Sequence, residues 1–146
     1  ALRALVEVRR SPVVETVSES RYEDDYPSMA ADGNRIWVAW QAYRDKSDRI
    51  FLRGCENGRC DAALEVTEKP GDLFMTGVAA AHGAVTVVWS AHEGSGWNLK
   101  ARTYDGKGFG PAESVTTGDN NNLWHKVTAD RSGNVTIFQS SRVPEL

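Results

Sequence analysis

Residues 36–42, Ile36-Trp37-Val38-Ala39-Trp40-Gln41-Ala42, return as residues 85–91, Val85-Thr86-Val87-Val88-Trp89-Ser90-Ala91. Both stretches are rich in β-branched and aromatic residues, which fit a pleated, half-buried surface. Both follow a glycine turn, Gly33-Asn34 in one and His82-Gly83 in the other, and the two are 49 positions apart. A fixed period of this size is the mark of a repeat architecture.

Working outward, the same shift of 49 lays residues 27–67 on residues 76–116 without a gap. Met29-Ala30-Ala31 falls on Val78-Ala79-Ala80, Ile50-Phe51-Leu52-Arg53 on Leu99-Lys100-Ala101-Arg102, and Glu65-Val66-Thr67 on Ser114-Val115-Thr116. Backward, Glu15-Thr16-Val17-Ser18 matches Leu64-Glu65-Val66-Thr67. Forward, Ala31-Asp32 falls on Ala129-Asp130 and Trp40-Gln41 on Phe138-Gln139. The turn Ser132-Gly133-Asn134 is one residue longer, however, so Val135 and Ile137 can instead match Val85 and Val87.

Each unit reads as four strands, here named A to D. Strand A is the small-residue stretch near Met29, Val78 or Val127. Strand B is the apolar run 36–41, 85–90 or 135–140, strand C is 49–54 or 98–104, and strand D is 63–67 or 112–116. Small residues in strand A let inner strands of neighbouring units approach one another, while Trp40 and Trp89 fill the space between faces. The fold class expected is all-β, with four-stranded antiparallel units fanned as blades of a β-propeller. A β-sandwich with two similar halves is the alternative. The divisions expected are a partial blade C and D in 1–20, blades in 26–69 and 75–117, and a partial blade A and B in 123–146.

That makes about twelve strands, or three blades' worth, half of a six-bladed ring; rings of this kind close with about four to eight blades. Two partners are expected to remedy this: a second copy of the chain, or the remaining blades of a longer protein.

The residues quoted resemble secreted bacterial propeller repeats of the sialidase-like (BNR/Asp-box) and TolB-like kind. The resemblance rests on Pro27, Ala30-Ala31-Asp32-Gly33, Trp40-Gln41, Arg44-Asp45, Ile50-Phe51-Leu52-Arg53 and Tyr104-Asp105-Gly106-Lys107-Gly108-Phe109. Lys107 stands where the Asp-box has glycine, and no arginine triad of a sialidase can be placed, so no catalytic residue is carried over. The hairpin from Tyr104 to Phe109 also resembles that of fucose-type lectins.

Composition excludes several classes. The net charge is −3 over 146 residues and no Lys/Arg-rich run is present, so there is no electrostatic footprint for nucleic acid or an anionic membrane. The longest apolar run is about five residues, far short of a membrane span. Cys55 and Cys60 flank the tight-turn pair Asn57-Gly58. A hairpin there places them opposite one another, at a separation a disulfide can bridge; two reduced thiols are the alternative. A disulfide points to a secreted or periplasmic protein. Tyr104 and Phe109 occupy the same two places in the next unit.

Loops at one end of the units are expected at 21–27, 43–48, 68–74, 92–97, 118–124 and 141–146. Their aromatic and polar residues make Tyr26, Tyr43, Arg44, His92, Trp97, Trp124, His125 and Arg142 the candidate ligand-binding set. Flat rings stack on sugar faces and polar groups read hydroxyls. His92 and His125 are the candidates for a base. No serine or cysteine carries a nucleophile motif. Glu23-Asp24-Asp25 and Gly118-Asp119-Asn120-Asn121-Asn122 offer oxygen ligands suited to calcium, though neither has a known loop spacing, and no other cofactor or metal is expected. The function expected is a non-catalytic ligand-binding or protein-interaction module, with a glycan as one candidate ligand. The alternative is part of a sialidase-like or other glycoside hydrolase completed by further blades or a second chain.

Overall fold

The computed structural model describes residues 16–18 and 21–142. Among them the chain is all-β, with no helix and eleven strands. In chain order these are β1 (Glu23–Asp32), β2 (Arg35–Arg44), β3 (Ser47–Glu56), β4 (Arg59–Cys60), β5 (Leu64–Glu65), β6 (Leu73–Ala81), β7 (Ala84–Glu93), β8 (Gly96–Tyr104), β9 (Glu113–Ser114), β10 (Asn121–Ala129) and β11 (Val135–Arg142).

The first sheet runs β1-β2-β3 antiparallel, with β4 and β5 along the outer side of β3. β6-β7-β8 with β9 repeats that order. The antiparallel hairpin β10-β11 begins the order a third time, and it touches β8 through one parallel pair, Asn121 with Trp97. The sheets do not close on themselves.

The turns follow from local chemistry. Asp45-Lys46, Asn57-Gly58 and His82-Gly83 each put two successive residues at positive φ. That conformation matches the right-handed twist of the flanking strands. Asn57-Gly58 closes the expected hairpin, and Cys55 and Cys60 are disulfide-bonded across it. In the second unit the rings of Tyr104 and Phe109, 5.2 Å apart, staple the same place.

Strands A and B are longer than expected. They run up to two-residue turns, so the expected loops 43–48 and 92–97 are strand ends with turns at Asp45-Lys46 and Gly94-Ser95. Strand D is shorter than expected. In each unit a threonine hydroxyl accepts the N–H that a longer strand would engage: Ile50 N–H donates to Thr67 Oγ1 at 3.3 Å and Leu99 N–H to Thr116 Oγ1 at 2.8 Å.

The third unit settles its register. Met29 faces Val38 and Val78 faces Val87, but Val127 faces Ile137. Strand B is displaced by one residue because Asp130 Oδ1 accepts the N–H groups of Ser132 and Asn134 and holds a longer turn. Phe138 therefore corresponds to Val88 and Gln139 to Trp89. The match of Phe138 with Trp40 is corrected, and that of Ile137 with Val87 stands.

The main core lies between the facing sheets. Trp37, Ala39, Ile50 and Leu52 of the first meet Val78, Val85, Val87 and Trp89 of the second. The other face of the first sheet carries Trp40, Ala42 and Phe51, with Val17 packed on them. Arg53 Nη1 donates to Val17 O at 2.7 Å, and 49 residues on Arg102 Nη1 donates to Val66 O at 2.7 Å. The rest of the expected N-terminal strands, in residues 1–15 and 19–20, lies outside the described residues, as do residues 143–146.

Candidate functional site

The first strands of the three units, β1, β6 and β10, lie side by side. Val78 N–H donates to Ser28 Oγ at 3.1 Å, and the methyl Cγ2 of Val127 presses on Gly77, where a Cβ would lie only 2.5 Å away. Each of these strands carries one bulge, between Asp25 and Ser28, Phe74 and Thr76, and Leu123 and Lys126. At each bulge a non-glycine residue is left-handed: Tyr26 (φ 49°), Met75 (φ 60°) and Trp124 (φ 57°). The three are spaced 49 apart in the sequence. Such a conformation costs about 1 kcal/mol or more per residue and persists only where the surroundings impose it.

The surroundings are visible. Gln41 and Asp48 form a clamp: Gln41 Nε2 donates to Asp48 Oδ1, while Met75 N–H donates to Gln41 Oε1 at 3.1 Å and Leu73 N–H to Asp48 Oδ2 at 3.2 Å. Thr76 Oγ1 lies 2.6 Å from Tyr26 O and 3.2 Å from Ala39 O. At the equivalent place in the third unit, His125 Nε2 donates to Val88 O at 3.1 Å. The three bulges border a cavity of about 310 Å³, lined by Tyr26, Met29, Met75, Gly77, His125 and Val127 among others.

From Tyr26, on its wall, runs a chain of rings. Tyr26 and Trp124 meet Phe74 edge-on at 4.7 and 5.5 Å, Trp97 meets Phe74 at 6.2 Å, and His92 meets Trp97 at 5.2 Å. Tyr26 and Trp124 are exposed. The structure thus brings together Tyr26, His92, Trp97 and Trp124 of the expected set, on strands rather than on loops. It adds Phe74, the hub of the row, which the sequence reading missed. The only signal for Phe74 is its place one residue before the bulge at Met75.

The other expected residues lie elsewhere or act differently. Arg44 stacks over Tyr22 and Phe51, and Tyr43 lines a separate hollow of about 170 Å³ with Glu23, Asp25, Gln41 and Asp48. Arg142 stands at the end of β11, opposite Asn121. His125 is 1% exposed, so it is not a base presented on a loop. Burial pushes its imidazole below the usual histidine range, against the pull of the Val88 carbonyl. It is neutral at pH 7, with the proton on Nε2, and its buried Nδ1 has no partner.

The acidic clusters are engaged within the fold. Trp40 Nε1 donates to Asp24 Oδ1, Ser95 Oγ donates to Asp119 Oδ1, and the Asn122 amide donates to Trp97 O. Among the described residues no group of three or more His, Cys, Asp or Glu is placed to hold a metal, and no helix is long and apolar enough to cross a membrane. Asp105 and Asp130 are exposed in turns at the far end of the strands; the N–H groups of Gly108 and Lys107 hold the Asp105 carboxyl below the usual range, and the side chain and N–H of Asn134 do the same for Asp130. Comparison with protein families, curated proteins and solved structures finds no match to this chain.

Proposed function

We propose that this chain is a non-catalytic ligand-binding module built of propeller blades, and that the aromatic row at its axis binds a glycan. The observation that carries the reading is the recurrence of a left-handed bulge residue at Tyr26, Met75 and Trp124, with Tyr26 and Met75 on the wall of one cavity and Tyr26 and Trp124 in the row of rings beside it. Flat, amphipathic rings with one exposed face suit the apolar face of a pyranose. Ser28 and Lys126, which line the cavity, offer polar groups for its hydroxyls.

Support for blades comes from the recurring strand order and from the first strands of all three units lying side by side. The disulfide fits an oxidising compartment, hence a secreted or periplasmic protein.

The test is glycan-array binding by the purified chain, followed by titration of tryptophan fluorescence. Trp124→Gly relieves the left-handed backbone at that position, which offsets the lost contact with Phe74, so the fold is retained. It loses one stacking face and should weaken the hit about tenfold. Absence of any glycan hit, together with hydrolysis of glycoside substrates, refutes the reading in favour of an enzyme.

A further inference from the structure

Residues exposed at the two ends of the described repeat are the counterparts of residues buried in its middle. Met29 is 70% exposed, whereas Val78, 49 positions on, is 3% exposed. Ile36 is likewise exposed and its counterpart Val85 buried. At the other end, Val115 is 41% exposed against 0% for Val66, and Phe138 is 63% exposed against 0% for Val88. The backbone shows the same asymmetry. β2 and β7 pair on both sides, while β11 pairs with β10 alone among the described residues. Val17 O and Val66 O each accept an arginine N–H from the next unit, while among the described residues no arginine reaches Val115 O.

Equivalent residues that pack inside the chain define what covers these ends: another unit of the same repeat, with its incoming face on Phe138 and Val115 and its outgoing face on Met29 and Ile36. Val17 sharpens the point. It sits on the outer face of the first sheet as Val66 sits on the second, as the last strand of a unit beyond β1–β3. That unit needs a first and second strand of its own. β10–β11 is such a pair, with no strand beyond β11 among the described residues, and it lies at the other end of the described repeat.

We propose that a second copy of this chain covers both ends in a head-to-tail dimer. The Met29–Ile36 face of each copy seats on the Phe138–Val115 face of the other. Two such contacts are equal by symmetry and close the assembly. The inference rests on the propeller reading and completes its site: the strands β1, β6 and β10 of the second copy line the other half of the axial cavity.

Light scattering on the whole chain is expected to give twice the 16.0 kDa of one copy. Met29→Asp and Phe138→Asp, both at exposed positions, each place an unpaired charge in the contact. Each weakens dimerisation by about tenfold or more, with the far-ultraviolet dichroism unchanged. An equimolar mixture of the two variants regains a dimer, because one of its two contacts is then wild type on both sides. A mass of one copy at all concentrations overturns the proposal, as does any mass other than two copies, or a dimer indifferent to both variants. A dimer that binds no glycan removes the ligand reading alone; a glycan-binding monomer removes this one alone.

Discussion

Replacing Gly77 by alanine adds one methyl where β6 meets β10. Gly77 is not among the positive-φ glycines, so its backbone accepts a side chain and only space is at issue. The new Cβ would lie 2.5 Å from Val127 Cγ2, 3.1 Å from His125 Cδ2 and 3.3 Å from His125 Nε2. Carbon atoms rest about 3.5–4.0 Å apart, so Val127 must retreat by about 1 Å. Its β-branched side chain is stiff at χ1, and the histidine beside it is hydrogen-bonded to Val88 O, so relief requires the strands to part. Overpacking of this kind costs about 1–3 kcal/mol, offset by about 0.5–1 kcal/mol from the lower entropy of the unfolded chain. A net loss of about 1–2 kcal/mol lowers the melting midpoint by about 3–6 °C in a domain of this size.

Two other glycines calibrate the measurement. Gly54→Ala meets the Arg35 guanidinium at 2.5 Å, but that is the far end of a flexible side chain and swings clear at little cost. Gly96→Ala meets the backbone of Asp119 and Asn120 at 2.7–2.9 Å, which cannot swing, and costs at least as much as Gly77→Ala. Thermal melts of Gly77→Ala, Val127→Ala and the double variant should show a favourable coupling of about 1 kcal/mol, since removing the valine methyls makes room for the new one. A Gly77→Ala protein as stable as the parent, or zero coupling, would mean that the first strands do not converge, and the axial cavity would go with them.

Two further outcomes are expected. Reducing the Cys55–Cys60 bond opens a loop of about six residues, worth at most about 2 kcal/mol by chain entropy. The Asn57-Gly58 turn and the β3–β4 pairs already hold that hairpin, so melts with and without reductant should differ by only about 3 °C. The pH dependence turns on His125, whose folded pKa lies below the unfolded value of about 6.5. Above that value both states are neutral. As the pH falls through it the unfolded chain takes the proton first, so stability declines with acid, by about 1.4 kcal/mol for each unit of depression. Denaturant melts from pH 7 to 5 should show this decline, and His125→Gln should flatten it; a variant with the parental slope would place the acid sensitivity elsewhere.

The parts of this fold that were legible are those written in local chemistry. The β-branched and aromatic residues of strand B and the Asn57-Gly58 dipeptide each need only neighbouring residues. The register of the third unit was half legible, because Val135, Ile137 and Phe138 satisfy either alignment and the choice lies in the backbone bonds to Asp130. The bulges were not legible. Tyr26, Met75 and Trp124 are not the glycine or asparagine that marks a left-handed turn, and a left-handed backbone at such residues is imposed by tertiary contacts such as the Gln41–Asp48 clamp. Loops were therefore drawn too wide. Phe74 escaped notice because its counterparts are Asp25 and Leu123, and the burial of His125 because its counterparts are Pro27 and Thr76.

Where this chain needs positive φ merely to turn, glycine supplies it at many places, among them Gly33, Gly83, Gly106 and Gly133. Glycine at the three bulges would relieve about 1 kcal/mol or more apiece, a large share of the 5–15 kcal/mol that holds a typical domain together. Tyrosine, methionine and tryptophan stand there instead, and two of them turn their rings to solvent beside a cavity. A bulge changes which way a side chain points relative to strict alternation along the strand, and so it re-aims these three. Packing alone does not account for that choice, because Tyr26 and Trp124 both keep much of their surface in solvent. Strain retained at equivalent places, for the sake of side chains outside the core clusters, is what the proposed binding site requires of its scaffold.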